Sequence, residues 1–331
     1  MVPPPAAPDF LVRHGWAGAD IRPLAGDASF RRYFRVHLPG RSAVLMDAPP
    51  DKEDSRPFLA IGARLESLGF SAPRPLAAEL DLGLILLEDF GDARVGPLLA
   101  ADASAERHIY ETAVDILVAL HQHEAGDLPP YSTAELTREV DLFPDWYLPA
   151  VGQPLAPEAA ATYAEAWAGL WPLVMPARPV MVLRDYHADN LMVLDRPGIR
   201  GLGLLDYQDA LAGHPAYDLV SLLQDIRRTV APDLEAAMLA RYLNARRAEP
   251  GFDPSAFHTA YDVLGAQRNV KILGVFTRLY VRDGKPAYPR FHPRLWQLVE
   301  RDLARPALAP VAAWFEAHVP AAARHGVEVR S

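Results

Sequence analysis

The residues of this sequence best suited to chemistry lie between positions 185 and 209. Asp185 is followed five positions later by Asn190, and a further carboxylate, Asp206, comes at the end of an apolar run. Between them Asp195-Arg196-Pro197-Gly198 carries a turn signal. The flanking apolar segments, 191–194 and 202–205, read as short strands. Paired as a hairpin centred near Gly198, they set Asn190 and Asp206 opposite each other at its open end, with Asp185 in the loop just before. Two oxygen ligands for a hard cation and one carboxylate base would then converge, the layout that phosphoryl transfer needs. In that chemistry Asn190 and Asp206 hold Mg²⁺ on nucleotide phosphates, and Asp185 takes the proton of an attacking hydroxyl. His187 and Asp209 are close enough in sequence to help position the acceptor, while Asp189 could be a salt-bridge partner for the loop. Two other readings of these residues are a metal-hydrolase cluster of Asp185, His187, Asp189 and Asp206, and a polar loop without catalysis.

The elements that must position these groups divide the chain in two. Gly26-Asp27-Ala28-Ser29 with its neighbours reads as a tight turn, and the alternation over Arg32-Tyr33-Phe34-Arg35-Val36 reads as a strand. A second strand follows at 43–46. The turn is either an ordinary hairpin or a ring of backbone N–H groups able to cradle phosphates. Apolar residues at 58, 61, 65 and 68 have helical spacing, and Gly69 ends that helix. Segment 71–75 is extended and 82–87 is a strand, followed by the polar linker Glu88-Asp89-Phe90-Gly91-Asp92. From about residue 93 helices dominate. Ser104 caps one running to about 124, whose end carries His121-Gln122-His123. Other helices span 157–171, 234–246 and 257–281, and one starts at Ala216. Near that start, Asp218 can accept backbone N–H groups from the loop at 185, a structural task. Trp146 and Tyr147, beside Arg138 and Glu139, form either a platform for a sugar ring or plain core. Arg268 and Lys271 share one helix face, as a solvated pair or as a site for an anionic substrate group. Residues 1–9 are rich in Pro and Ala and read as disordered.

Composition narrows the function. The chain has 331 residues, a net charge of −9 and no cysteine. An acidic balance argues against a general nucleic-acid binder, and the lack of cysteine removes disulfides and thiolate metal sites. There is neither an apolar run able to span a membrane nor an export signal, so the cytoplasm is the expected location. Lysine occurs only at 52, 271 and 285.

Arg184-Asp185-x-x-x-x-Asn190 followed by a strand ending in Asp206 resembles the catalytic and metal segments of the protein-kinase-like superfamily, and Asp185-Tyr186-His187-Ala188-Asp189-Asn190 resembles its aminoglycoside phosphotransferase branch. Further segments narrow the likeness. They are Gly26 to Val36, Val44-Leu45-Met46-Asp47-Ala48-Pro49-Pro50, Leu87-Glu88-Asp89-Phe90-Gly91, Leu142-Phe143-Pro144-Asp145-Trp146-Tyr147, Gly203-Leu204-Leu205-Asp206-Tyr207-Gln208-Asp209-Ala210 and Gln267-Arg268-Asn269. Together, over roughly 20–300, the chain resembles the bacterial N-acetylmuramate/N-acetylglucosamine anomeric kinases of cell-wall recycling. The resemblance implies an α+β, two-lobed kinase-like fold. A small antiparallel-sheet lobe for nucleotide would span 1–91 and a larger, mostly helical catalytic and substrate-binding lobe 92–331. It implies ATP and Mg²⁺ as cofactors and an amino sugar phosphorylated on its C1 hydroxyl, with neither nucleic acid nor membrane as partner; the oligomeric state stays open, and a monomer would suffice. Nucleotide contacts would come from Ala28, Ser29, Phe30, Arg31, Arg32, Met46, Glu88 and Phe90. Sugar contacts would come from His187, Asp209, Trp146, Glu139, Arg268 and Lys271, with Arg268 or Lys271 on the lactyl carboxylate of N-acetylmuramate.

One departure from the superfamily is visible. The strand that carries the phosphate-pairing lysine in kinases reads Ala43-Val44-Leu45-Met46-Asp47, and Glu66 sits near the end of its helix rather than at a pairing position. Arg31, Arg32 or Lys52 could substitute. A kinase for another small hydroxyl compound (an aminoglycoside, choline or homoserine) and a nucleotide-binding pseudokinase are the rival readings. An acid-lined acceptor site would favour the aminoglycoside.

Overall fold

A computed structural model describes residues 1–24 and 30–327. In chain order, helix α1 (Ala7–Arg13) precedes strands β1 (Asp20–Pro23), β2 (Arg32–Leu38) and β3 (Arg41–Asp47). Then come α2 (Arg56–Ser67), β4 (Pro75–Glu79), β5 (Leu84–Glu88), α3 (Val95–Ala101), α4 (Glu106–Leu120) and α5 (Thr133–Val140). A π-helical turn at Phe143–Tyr147 runs into the single turn α6 (Leu148–Ala150), followed by α7 (Pro157–Ala168). The short strands β6 (Val180–Val182), β7 (Leu191–Val193), β8 (Leu202–Leu204) and β9 (Leu211–Gly213) lead to α8 (Ala216–Leu223), α9 (Pro232–Arg246), α10 (Pro254–Val281), α11 (His292–Leu303) and α12 (Ala309–His318). The chain folds as two compact units, Met1–Ala113 with Asp189–Ala210, and Val114–Ala188 with Leu211–Ser331.

In the first unit the described strands form an antiparallel sheet in the order β1-β2-β3-β5-β4. Alternation along β2 sends Phe34 and Val36 to one face, where Ala43, Leu45, Leu84 and Leu86 of the neighbouring strands join them. Ala7, Phe10, Leu11 and Trp16 of the N-terminal segment pack in the same cluster. The expected disorder of residues 1–9 therefore fails from residue 7 onward. Pro8 lies in the first helical turn, where a missing N–H costs nothing, and Ala7, Phe10 and Leu11 make an apolar stripe at helical spacing. Arg13 clamps the helix to Glu79 of β4 at 2.8 and 3.0 Å.

The predicted helix at 58–68 is α2. It ends as the sequence signals, with Gly69 at φ +89° and Phe70 N–H donating to the Leu65 carbonyl at 3.0 Å. Its Gly62 is required by a neighbour: a Cβ there would lie 2.7 Å from the Tyr207 hydroxyl. Tyr207 is thereby free to stack on Phe58, with ring centroids 5.1 Å apart at 14°. This anchors the segment that follows Asp206. The hairpin expected around Gly198 forms from β7 and β8, with Leu191 opposite Leu204. Val193 N–H bonds Ala93 O and Leu204 N–H bonds Ser71 O, each at 2.8 Å, which ties the hairpin to the rest of its unit.

The second unit is helical around α10. Gly274 lets that helix approach the chain at Leu142, whose carbonyl would lie 2.3 Å from a Cβ. An aromatic cluster of Phe143, Tyr147, Tyr163, Trp296 and Phe315 fills the space beside it. One detail in the first unit corrects the capping expectation. Asp102, not Ser104, caps the turn leading into α4, accepting from the Ser104 N–H at 2.8 Å and from its hydroxyl at 2.9 Å. A carboxylate two residues earlier outcompetes the hydroxyl as acceptor. No helix among the described residues is long and apolar enough to cross a membrane.

Candidate active site

Polar residues of the kind that phosphoryl transfer uses occur in each unit. In the first, the hairpin sets Asn190 and Asp206 side by side. Leu205 N–H donates to Asn190 O at 2.9 Å, and Asn190 Nδ2 lies 3.4 Å from Asp206 Oδ2. Gln208 Nε2 holds Asp206 Oδ1 at 2.8 Å. Asp206 has φ +57°, a left-handed conformation that an ordinary residue adopts at a cost and that is common where geometry serves function. An amide oxygen and a carboxylate are hard donors of the type Mg²⁺ takes when phosphates and water complete its shell. Among the described residues no larger cluster of metal-binding side chains occurs.

Of the three candidates for the missing lysine, Arg31 is the one beside these groups. Its side chain is 9% exposed, with Nη1 4.0 Å from Asp206 Oδ1 and Nε 4.0 Å from Glu53 Oε2. Arg32 faces the other way, since strand alternation puts it on the side of Phe34; it pairs with its cross-strand partner Asp47, Nε to Oδ2 at 2.7 Å. Lys52 sits at the surface beside Asp51, 3.3 Å away. Phe30 is 64% exposed and its N–H points to Glu53 Oε1 at 3.3 Å. Ala28 and Ser29 lie outside the described residues. Met46 is fully buried between Tyr33 of β2 and Ile85 of β5. The Glu88 carboxylate is taken up by Arg196 at 2.6 Å and Arg74 at 3.2 Å. Phe90 packs on Gly203, where a Cβ would come within 2.5 Å of its ring, and under the Arg196 guanidinium. Asp89 is bound by Arg35 and by the Gly91 N–H, a structural use of the Asp-Phe-Gly letters. Asp209 is exposed, 3.4 Å from Gln208 Nε2.

In the second unit, β6 and β9 pair antiparallel and frame the loop 183–188. Asp218, fully buried near the start of α8, takes the Leu183 N–H at 2.7 Å and the Arg184 N–H at 2.8 Å. Burial pushes its carboxyl up to about 7 against those two bonds. The loop it fixes presents Asp185, half exposed at 51%, after Arg184 at φ +70°. Crowding by protein raises the Asp185 carboxyl, but the charges of Arg268, Lys271 and Arg184 outweigh this and hold it below the ordinary carboxylate range. Arg268 Nη2 lies 3.8 Å from Asp185 Oδ1.

Behind Asp185 is a saturated charge cluster centred on Glu139, which is 1% exposed. Its Oε1 accepts from Arg184 Nη2 and Lys271 Nζ, each at 2.6 Å. Its Oε2 accepts from Gln267 Nε2 at 2.9 Å and from the Tyr131 hydroxyl. Burial opposes ionisation, yet Lys271 and Arg184 pull the Glu139 carboxyl down to about 2. The resemblance implies that Glu139 touches the sugar. It is instead an internal anchor, because both its oxygens are already occupied by donors of the fold. Lys271, also read as a sugar contact, is committed to Glu139 and to the Tyr217 hydroxyl at 3.2 Å.

His187 is likewise no open contact. It is 3% exposed, its Nε2 faces Arg227 Nη1 at 3.0 Å, and burial together with Arg227 drops it to about 3, so the ring stays neutral. Of the aromatic pair, Tyr147 is core: fully buried, stacked on Phe143, accepting from Trp296 Nε1 and donating to Ala323 O, both at 2.7 Å. Trp146 is half-buried on the π-helical turn. Sequence reasoning did not assign roles to Glu53, Gln208, Arg227 or Tyr131. For Arg184 a signal existed, its place directly before Asp185.

The five-stranded antiparallel sheet of the first unit and the mostly helical second unit give the chain an α+β, protein-kinase-like phosphotransferase fold. The chain belongs to the phosphotransferase enzyme family, whose family model matches residues 20–255. It is 37% identical to the N-acetylmuramate/N-acetylglucosamine kinase of Caulobacter vibrioides over 95% of this chain and 96% of that protein. It is 38% identical to the protein of the same name in Pseudomonas aeruginosa, over 91% and 90%. Among solved structures, the gentamicin complex of APH(2")-IIa has a TM-score of 0.62 at 15% identity, covering 93% of this chain and 99% of that one. Choline kinase LicA from Streptococcus pneumoniae has a TM-score of 0.61 at 11% identity, covering 92% and 98%. The solved structures share the fold.

Proposed function

We propose that this protein transfers the γ-phosphoryl group of ATP to the anomeric C1 hydroxyl of N-acetylmuramate, N-acetylglucosamine or both, in the cytoplasmic recycling of cell-wall sugars towards UDP-sugars. The observation that carries this is the identity of about two residues in five, over nearly the whole chain, with kinases named for those two sugars. The site residues support it. A hemiacetal hydroxyl is more acidic than an ordinary alcohol, which suits a weak carboxylate base such as Asp185. The first of the charges that lower Asp185 is the positive Arg268, which disfavours a polycationic aminoglycoside as acceptor.

In the mechanism, Asp185 accepts the hydroxyl proton and orients the sugar oxygen toward phosphorus. That oxygen forms the new O–P bond, and the bond to the bridging oxygen breaks as ADP leaves. Asn190 and Asp206 would hold Mg²⁺, which supplies charge neutralisation on the phosphates when bound. Arg31 takes the phosphate-pairing role of the absent lysine, with Glu53 as its carboxylate partner. Residues 1–91 serve the nucleotide, 92–331 the chemistry and the sugar, and Trp146 remains the candidate for packing against the sugar ring.

The test is ADP release with a panel of acceptors: both amino sugars, an aminoglycoside, choline and homoserine. Turnover on at least one of the amino sugars and none on the others is the expected result. Turnover on choline or the aminoglycoside alone would overturn the reading, and nucleotide binding without turnover on any acceptor would favour a pseudokinase.

A further inference from the structure

Helix α10 carries three successive buried polar side chains, Gln267, Arg268 and Asn269, none more than 2% exposed. Two of them have partners within the fold: Gln267 Nε2 donates to Glu139 Oε2, and Asn269 Nδ2 donates to Asp302 Oδ2, each at 2.9 Å. Arg268 differs. Its carboxylate contact is Asp185, at 3.8 Å, which is an ion pair without a hydrogen bond. Its second terminal nitrogen, Nη1, is buried and meets no hydrogen-bond acceptor among the described residues. A guanidinium is always charged and offers five donors in a planar fork. Burying one with an unused N–H is costly, and an anion reaching that N–H would offset the cost.

The identity of that anion follows from the neighbour. An acceptor hydroxyl bonded to Asp185 sits about 2.7 Å from the carboxylate. Whatever direction the donor comes from, the transferred phosphoryl group ends covalently attached to that hydroxyl's oxygen. An acceptor held on the Arg268 side of Asp185 brings that group's non-bridging oxygens within reach of the guanidinium. The lactyl group of N-acetylmuramate hangs from C3, two ring carbons from C1, whereas Arg268 lies 3.8 Å from Asp185, at the reacting hydroxyl. A phosphoryl contact at C1 is a different role from the lactyl contact expected for Arg268 from sequence.

We infer that Arg268 is a catalytic residue, an arginine supplied in cis that binds the non-bridging oxygens of the phosphoryl group as it passes to the acceptor. The inference rests on Asp185 being the base of the proposed kinase. The step balances. The hydroxyl proton goes to Asp185, the O–P bond forms, and the bond from phosphorus to the β,γ-bridging oxygen breaks with its electron pair leaving on ADP. The charge on the three equatorial oxygens is what Arg268 meets, and it is retained on the sugar 1-phosphate product.

The experiment compares wild type, Arg268→Gln and Arg268→Lys, with melting curves for each. It measures kcat and KM from pH 6 to 9, and calorimetric binding of N-acetylglucosamine and its 1-phosphate without nucleotide. Arg268→Gln should lose about 10³-fold in kcat, the size of an arginine-finger effect, with a small change in sugar KM. It should lose at least about tenfold in affinity for the sugar phosphate while keeping its affinity for the free sugar. Arg268→Lys keeps the charge without the fork and should fall between; it carries the test if the Gln variant does not fold. Three results would overturn the inference: equal weakening of sugar and sugar phosphate, a kcat loss that disappears at high pH (Arg268 then only keeps Asp185 ionised), or a loss confined to N-acetylmuramate. A wild type that phosphorylates neither sugar would refute the kinase reading itself, before any variant is made.

Discussion

The two units hold their polar site residues in contrasting ways. Around Asp206, Gln208 lies at 2.8 Å, Asn190 at 3.4 Å and Arg31 at 4.0 Å. Around Glu139 and Asp218 the contacts are dense and short, with two bonds of 2.6 Å on one Glu139 oxygen and two backbone N–H groups on Asp218, while Asp185 is half exposed and 3.8 Å from Arg268. In the proposed kinase, nucleotide phosphates and water would complete the shell of a cation held by Asn190 and Asp206. A saturated network is ordered before any ligand arrives, which is how a catalytic base is pre-positioned. In the proposed kinase Asp206, Asn190 and Arg31 would meet nucleotide and cation, while Asp185 stands on a loop that Asp218 braces.

This contrast can be broken by substitution. The largest effect belongs to Asp185→Asn. Steady-state kinetics should show kcat reduced about 10³-fold with sugar KM little changed, and the half-exposed side chain should leave the melting temperature nearly intact. Next is Glu139→Gln, which leaves Arg184 and Lys271 buried without their carboxylate. Urea unfolding should show a loss of about 3–5 kcal/mol, whereas an exposed pair would lose almost nothing. Gly62→Ala forces the Tyr207 ring away from α2 and should cost about 1–3 kcal/mol. Arg31→Ala, in the first unit, should raise the KM for ATP about tenfold and leave the sugar KM alone. Equal effects on both KM values would mean that the two sets are not separately organised.

The smallest effect is on pH dependence. His187, His214 and His292 are held neutral, down to about 3, 4 and 4, by burial, and His121 is lowered as well. Each contributes stability that is present above the unfolded value near 6.5 and is lost as pH falls toward the folded value. Asp218 and Asp302, raised to about 7 by burial, act in the opposite sense between about 4 and 7. Four histidines against two carboxyls predict a melting temperature that falls modestly as pH drops from 6.5 to 4. A melting temperature that rises over that range would contradict the assignment.

What the sequence made legible was local. The β7–β8 hairpin could be read because two apolar runs flank a Pro-Gly turn, and the Asp218 brace because an acid near a helix start meets nearby N–H groups. The role of Glu139 could not be read. Its partners lie 45 and 132 positions away, and no period links a residue of α5 to one of α10. The helix α1 was hidden by proline content, although its apolar spacing was present. Arg31 and Arg32 could be told apart only once the strand fixed which of them shares a face with Phe34. The left-handed backbone at Arg184 and Asp206 has no signature in residue type.

The most direct test of the central claim is phosphorus NMR of the purified protein with ATP, Mg²⁺ and a sugar carrying carbon-13 at C1, with Asp185→Asn as control. A new phosphate-ester signal coupled to the labelled carbon, absent with the variant, is the predicted result for at least one of N-acetylmuramate and N-acetylglucosamine. A signal without that coupling would place the phosphate on another hydroxyl. Silence with both sugars, while ATP still binds, would contradict the anomeric kinase outright.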